Sequence, residues 1–371
     1  MKKAVIALCT MFIITFWSSV CLAEEPVKTD LSLSQAIEMA LKNSDGVKKS
    51  ALDIDKAEEK RDNASDKVKY IPIGSSDNPA AEAAWYSLLS ENLSWEMSKK
   101  SRTAEEDRLV LGVAQKYWNV QKSSESLKNK ELSVQMAEFT FRRVQAMLRL
   151  GMTPPEYSSM SPDGALAAAQ SSLNNAKSDL ETARNKLNTD YEAFNQALGL
   201  SVKERPILNE GVVFEPLSGD IDLGVAVQQV ISKSPSIWLA EEKINLAKYA
   251  YDMMFATGQY TPYEVRKIEK QQAELDAASA KDATDLAIRS LYYTVRNLEA
   301  ARPVLEKSVA AAEESLRVAK LQYDLGMITR ENMVKAELAL ADTKQKLLEL
   351  TQQHAYMKLS FEKPWAVSAG S

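Results

Sequence analysis

The residues able to do chemistry are few and poorly placed for it. His354 is the sole histidine of 371 residues, and it stands between Leu350 and Met357 in a run of apolar positions spaced three and four apart. No second histidine and no cysteine lies near it, so it reads as a seam residue rather than a metal ligand or general base. The acid pairs Glu58-Glu59, Glu105-Glu106 and Glu313-Glu314 fall on polar helix faces, where they are solvated. Cys9 and Cys21 lie in a leader: Lys2 and Lys3, an apolar run from Ala4 to Trp17, then Cys21-Leu22-Ala23, form a Sec-type export signal cut after Ala23. The exported chain then has no thiol and no disulfide, and is held together by packing alone. No phosphate loop, nucleophile motif or metal spacing occurs. These residues imply no enzyme, no cofactor and no metal.

Two short motifs carry surface chemistry instead. Leu150, Gly151, Met152 and Thr153 in LRLGMT match Leu325, Gly326, Met327 and Thr329 in YDLGMIT. Glycine after a helix is the usual C-cap, which is the plain reading. A methionine after each glycine also places a flexible apolar group at a helix end, which suits docking. Trp85, Tyr86 and Trp95, with Tyr70, Phe255, Tyr260 and Tyr263, gather near the opposite end, where rings at one level mark either hairpin packing or a membrane interface.

The elements that position these motifs are helices. With 12 glycines and 12 prolines, 45% hydrophobic and 26% charged residues, the composition favours helix. The net charge of −5, more acidic once Lys2 and Lys3 are gone, argues against a nucleic-acid partner. No apolar run after Trp17 is long enough to span a membrane.

The chain repeats itself. LSLSQAIEMALKNSDGVKKSALDIDKAE from Leu31 returns as IDLGVAVQQVISKSPSIWLAEEKINLAK from Ile221, with Leu33, Ala36, Ser44, Ile54 and Ala57 unchanged at Leu223, Ala226, Ser234, Ile244 and Ala247. Each copy predicts an amphipathic helix, a break at Ser44 or Ser234, a second helix, then two very long arms. The first long arm runs from Ala80 to Leu150 with possible interruptions between Ser98 and Thr103, and its return carries a seam at Ala169, Leu173, Ala176, Leu180, Ala183, Leu187, Phe194 and Leu198. In the second half Tyr263 to Leu325 is almost unbroken, with Pro303 expected to kink it, and Met333 to Phe361 forms the last seam. The first tip carries about eight extra residues, including Pro154, Pro155 and Pro162. The expected organisation is a signal peptide (1–23), a first helical repeat (24–200), a linker (201–220), a second repeat (221–364) and a short tail (365–371).

On the duplicated openings, the Ala197-Leu198-Gly199-Leu200 ending of the first half and the two matching tips, the whole exported chain resembles the TolC family of outer-membrane efflux ducts. The resemblance implies a homotrimer whose long helices form a hollow α-helical barrel. It also implies a periplasmic adaptor (membrane fusion protein) at the tips and an inner-membrane pump as partners, in a tripartite efflux or type I secretion assembly. By the same resemblance Tyr323 corresponds to a gate tyrosine. The family's charged gate partners fall here on Ile328, Asn332 and Lys335, so a seam-packing role is preferred for Tyr323.

One departure is large. The family's membrane strands belong in 70–102 and 255–264, and neither stretch contains strand pairs; the first reads AAEAAWYSLLSENLSWEM, which is helical. The expectation is an all-α chain, two tandem repeats of long coiled-coil hairpins in a TolC-like helical barrel without a recognisable β-barrel, located in the cell envelope, periplasm or outer membrane. The competing picture is a non-conducting structural or scaffolding coiled coil. A periplasmic adaptor ranks last, because no strand-rich domain flanks the hairpins.

Overall fold

Each half of the chain begins at a side-chain cap. Ser32 opens α1 (Leu33–Asn43) with a capping box: its hydroxyl accepts the Gln35 N–H at 3.2 Å while the Gln35 carboxamide oxygen accepts the Ser32 N–H at 3.0 Å. Ser44 ends α1 and caps α2 (Asp45–Ser65), accepting the Val47 N–H at 3.3 Å. In the second half the Asp222 carboxylate accepts the N–H groups of Gly224 and Val225 at 2.9 and 3.2 Å. There Ser234 separates α5 (Leu223–Lys233) from α6 (Pro235–Thr257), and Pro235 takes the first helical position, where a missing N–H costs nothing. The paired openings seen in the sequence are therefore paired helix–break–helix units.

The computed structural model describes residues 30–69, 79–217, 219, 221–257 and 263–367. The leader (1–23), Tyr70, Tyr260 and the last four residues of the tail lie outside these, and of Phe255 only its place in α6 is described.

Four long helices follow the openings. They are α3 (Pro79–Arg149, 71 residues), α4 (Pro162–Leu198), α7 (Tyr263–Asp324, 62 residues) and α8 (Arg330–Glu362). At 1.5 Å per residue α3 is about 105 Å long. It runs unbroken through 98–103, where the sequence allowed interruptions. Residues 79–102 are helix, as the reading of a helical hairpin in place of strands required. Pro303 lies inside an unbroken α7, which forgoes one N–H to carbonyl bond there. Among the described residues one strand pair occurs: β1 (Asp30–Leu31) and β2 (Ile207–Leu208), parallel, with Asp30 beside Ile207 and Leu31 beside Leu208.

The helices pack as a row. Toward the tips α3 lies against α4, α7 against α8, and α3 meets α8, giving the order α4–α3–α8–α7. Away from the tips the order is α2–α3–α6–α7. The short helices sit on this row, α1 on α3 and α4, and α5 on α7.

The core repeats as the sequence does. In the first half Leu31, Ala36 and Ala40 bury against Val113, Tyr117 and Val120 of α3 and Phe194 of α4. In the second half Ile221, Ala226 and Val230 meet Ile288, Tyr292 and Val295 of α7 and Phe361 of α8. Even the ring pair is duplicated: Tyr117 and Phe194 have centroids 5.9 Å apart, Tyr292 and Phe361 6.1 Å. The hydroxyls differ. Tyr117, fully buried, donates to the Leu31 carbonyl at 3.0 Å and accepts the Glu210 N–H at 3.2 Å. Half-buried Tyr292 accepts from Arg296 Nε at 3.2 Å.

This difference is measurable. Tyr117→Phe strands a buried carbonyl and a part-buried N–H and should cost about 1–3 kcal/mol in urea unfolding, whereas Tyr292→Phe should cost under about 1 kcal/mol. Equal losses would remove the distinction between the two nodes.

Candidate docking tips and open helix edge

Both tips close by the same bonds. Gly151 (φ 73°) donates to the Leu148 carbonyl at 3.0 Å and Met152 to Met147 at 2.9 Å; Gly326 (φ 71°) donates to Tyr323 at 2.9 Å and Met327 to Gln322 at 2.8 Å. This is the Schellman arrangement, which needs a left-handed residue and therefore glycine at that position. The cap has a consequence for the surface. With the glycine turning the chain away, its apolar neighbours are left in solvent: Leu150 is 72% exposed, Met152 49%, Leu325 66% and Met327 69%. Thr153 and Thr329 are exposed as well, and the Thr329 hydroxyl caps α8 by accepting the Asn332 N–H at 3.4 Å. The cap reading and the exposed-methionine reading describe the same geometry.

The tips differ in their loops. The second is five residues long (325–329), while the first (150–161) adds a short 3₁₀ turn, Pro155–Tyr157. Tyr157 packs, with Phe141 and Leu148, against the buried cluster of Val144, Ala165 and Ala169, so the extra residues are fastened. A charged cluster fastens them further. Arg143 of α3 donates Nη2 to Glu156 of the loop, and Nε to Glu331 of α8 at 2.7 Å; Thr140 adds a bond to Glu331 at 2.9 Å. The bonds from Glu156 and Glu331 hold the guanidinium protonated far above any working pH, and Arg143 pulls the Glu156 carboxyl below its ordinary value.

Tyr323 lies on α7 just before the second cap, 36% exposed, and in the protomer it is not a buried seam residue. Its seam neighbours Leu316 and Ala319 are more deeply covered. Ile328 lies in the second tip loop, and Asn332 and Lys335 fall in the first two turns of α8.

The distal aromatics serve separate helix contacts. Trp85, Tyr86 and Trp95 are half-buried on α3, and Trp95 is held between the Arg61 guanidinium at 3.9 Å and the Lys99 ammonium at 3.6 Å. Tyr263 meets Tyr251 across the α6–α7 turn, hydroxyl to hydroxyl at 3.0 Å. His354 is buried against Glu299, 3.2 Å from Nε2, and under the Phe214 ring at 4.2 Å. Among the described residues no group of three or more His, Cys, Asp or Glu could hold a metal ion, and no helix is long and apolar enough to cross a membrane.

One feature was not singled out from the sequence. Ile268, Leu275, Leu286, Tyr293, Val304, Ala311, Val318 and Leu325 are all exposed along α7 and its tip. They are separated by seven or eleven residues, intervals close to whole turns of a 3.6-residue helix, so they form one straight stripe about 85 Å long. The signal was present as spacing, but the heptad through Leu305, Val309, Ala312, Leu316 and Ala319 on the same helix dominated it. On the other edge of the row α4 exposes Ser171, Asn174, Ser178, Thr182, Asn185 and Thr189, small and uncharged. Two of these hydroxyls, Thr182 and Thr189, already donate to their own helix, to the Ser178 and Asn185 carbonyls at 3.0 Å.

An open row of long antiparallel helices with paired, capped tips defines a class of fold, that of the outer-membrane channels. CusC, known from crystal structures concerned with folding and transmembrane channel formation, is 15% identical with a TM-score of 0.63, over 92% of this chain and 93% of its own. The CmeC outer membrane channel of Campylobacter jejuni is 12% identical with a TM-score of 0.64, over 90% and 85%. The outer membrane protein VceC of Vibrio cholerae is 13% identical with a TM-score of 0.59, over 91% and 96%. The TolC-like, all-helical fold expected from the tips and the duplicated openings is the fold observed. No family model matches the chain, and no curated protein does.

The charged cluster makes a pH prediction. Because the Glu156 pKa is lowered on folding, its contribution is present above about pH 4.5 and is lost as pH falls through the folded value. Protection factors of the 150–161 amides, that is, exchange corrected for the intrinsic rate at each pH, should therefore fall between pH 6 and about pH 3.5, and Arg143→Met should lower them at both and flatten the pH response. A wild-type response unchanged by the substitution would show that Arg143 does not hold the loop.

Proposed function

We propose that the chain is the subunit of a passive, TolC-like exit duct, in which three copies close their helix rows into a hollow barrel. The leader is removed on export, the repeats 24–200 and 221–364 supply the wall, and the linker 201–220 girdles it. The tips, Leu150 to Thr153 and Leu325 to Thr329, take up a periplasmic adaptor, through which an inner-membrane pump delivers cargo. Tyr323, beside the second tip, stands where a constriction would form. The duct serves the cell envelope.

The observation that carries this reading is the apolar stripe of α7. A stripe of that length is too large to be left in water on a stable protomer. Toward the tips the stripe on α7 and the neutral face on α4 are opposite edges of one row, and away from them the opposite edge is α2, so a contact of α7 with the next copy's α4 and α2 is head-to-tail and repeats until the ring closes. The small residues of α4 let the helices approach, and their self-bonded threonines can be buried without losing a partner. The fold shared with CusC, CmeC and VceC supports the same reading.

Electron microscopy with light scattering on residues 24–371, purified without detergent, tests it. Three-fold hollow rings with long side views are expected. The double variant Leu286→Glu and Val304→Glu should give folded monomers, since each exposed side chain buried in the ring contributes about 1.5–3 kcal/mol. A compact monomer in the unaltered chain would overturn the duct and leave a scaffolding coiled coil.

A further inference from the structure

Away from the tips, α3 and α6 lie side by side but do not close on each other. Between them is a hollow of about 290 Å³. It is lined by Trp238, Glu242, Leu246 and Tyr249 of α6, the two rings three turns apart, and by Leu93 and Glu96 of α3. No lysine or arginine lines it among the described residues. Burial raises the Tyr249 pKa, and the nearby charge of Glu82 adds to the effect, so the phenol stays neutral at any working pH.

The surroundings show what such a site attracts. Lys100 places its ammonium 4.8 Å from the centre of the Trp238 ring. One turn earlier on α3, Trp95 is flanked by Arg61 and Lys99. Each of these rings already faces a cation drawn from the protein itself. Glu96 is paired with Lys99 at 2.6 Å on the exposed side, while Glu242 accepts from Asn245 at 3.2 Å, so the Glu242 carboxylate has no cationic partner in the ion pairs of α6. An aromatic face, an aliphatic lining and an uncompensated carboxylate together match a small organic ammonium, whose charge is diffuse and whose substituents are apolar.

We propose that the α3–α6 hollow is a binding site for small hydrophobic organic cations, with Trp238 and Glu242 as the recognising groups and Lys100 as the internal competitor. The hollow lies within one protomer, between the second and third helices of its row, so neither open edge covers it. Binding is counted per chain and is read whatever the state of assembly.

Calorimetric titration of the exported chain with benzyltrimethylammonium tests this, with the uncharged analogue carrying carbon in place of nitrogen as the control. One saturable site per chain is expected, with a Kd of about 0.1–1 mM, and the neutral analogue should bind at least about tenfold more weakly. Trp238→Leu and Glu242→Gln should each weaken the cation by about tenfold. Lys100→Met should tighten it several-fold, an outcome that a damaged fold cannot produce. Absence of saturation up to about 10 mM, equal binding of the neutral analogue, or a Lys100→Met variant no tighter than the unaltered chain would overturn the proposal.

Discussion

A single buried phenol oxygen joins three parts of the chain that are far apart in sequence. The Tyr117 hydroxyl lies on α3, gives its proton to the Leu31 carbonyl of the first strand and takes the Glu210 N–H of the linker. Glu210 then spreads the connection: its carboxylate accepts the Leu33 N–H at the start of α1 at 2.8 Å, and its carbonyl accepts from Gln121 at 2.7 Å. Burial raises the Tyr117 pKa, more than the Glu210 N–H lowers it, so the group remains a neutral donor and acceptor. The opening of the first repeat and the linker to the second are thus fixed to one point on a helix about 105 Å long. Two-residue strands could not hold themselves there; the hydroxyl gives them their register.

The second half solves the same problem with charge. There the linker is caught by Glu299, which accepts the Leu217 N–H at 2.6 Å and meets Arg296 at 2.9 Å and His354 at 3.2 Å. Burial alone would raise the Glu299 pKa, but those three donors outweigh it and the carboxyl is held below its ordinary value. One repeat uses a neutral node and the other an ionised one, on an aromatic pair that is otherwise the same. Duplication kept the packing, which depends on volume, and let the polar chemistry diverge where the linker enters from a different side.

How much of this was legible follows from which forces act locally. The breaks at Ser44 and Ser234, the caps at Gly151 and Gly326 and the seams through Leu173 and Leu316 depend on residues within a turn or two, and their spacing states them directly. The Tyr117 bridge was not legible, since its partners lie 86 and 93 positions away. The Arg143 cluster escaped for the same reason, joining α3 to Glu331 across 188 positions. The α7 stripe was hidden by the amphipathic rule itself: a helix with two apolar faces shows a weakened periodicity, although each face alone is regular.

Those two kinds of contact divide the work. Within each hairpin the seam is apolar, built on Ala169, Leu173, Ala183 and Phe194, and it joins segments adjacent in the chain. Between hairpins, where α3 meets α8, Ala355, Tyr356 and Leu359 pack on the first core and polar ties are added to them: Gln352 to the Trp118 carbonyl at 3.2 Å, Asn129 to Gln345 at 2.7 Å, and Arg143 to Glu331 at 2.7 Å. Apolar area sets strength but tolerates sliding, whereas a part-buried polar pair is satisfied in one register only. Hairpins formed by the first kind of contact can therefore be set side by side at a fixed height by the second. A row assembled this way leaves the large apolar face of α7 uncovered at its edge.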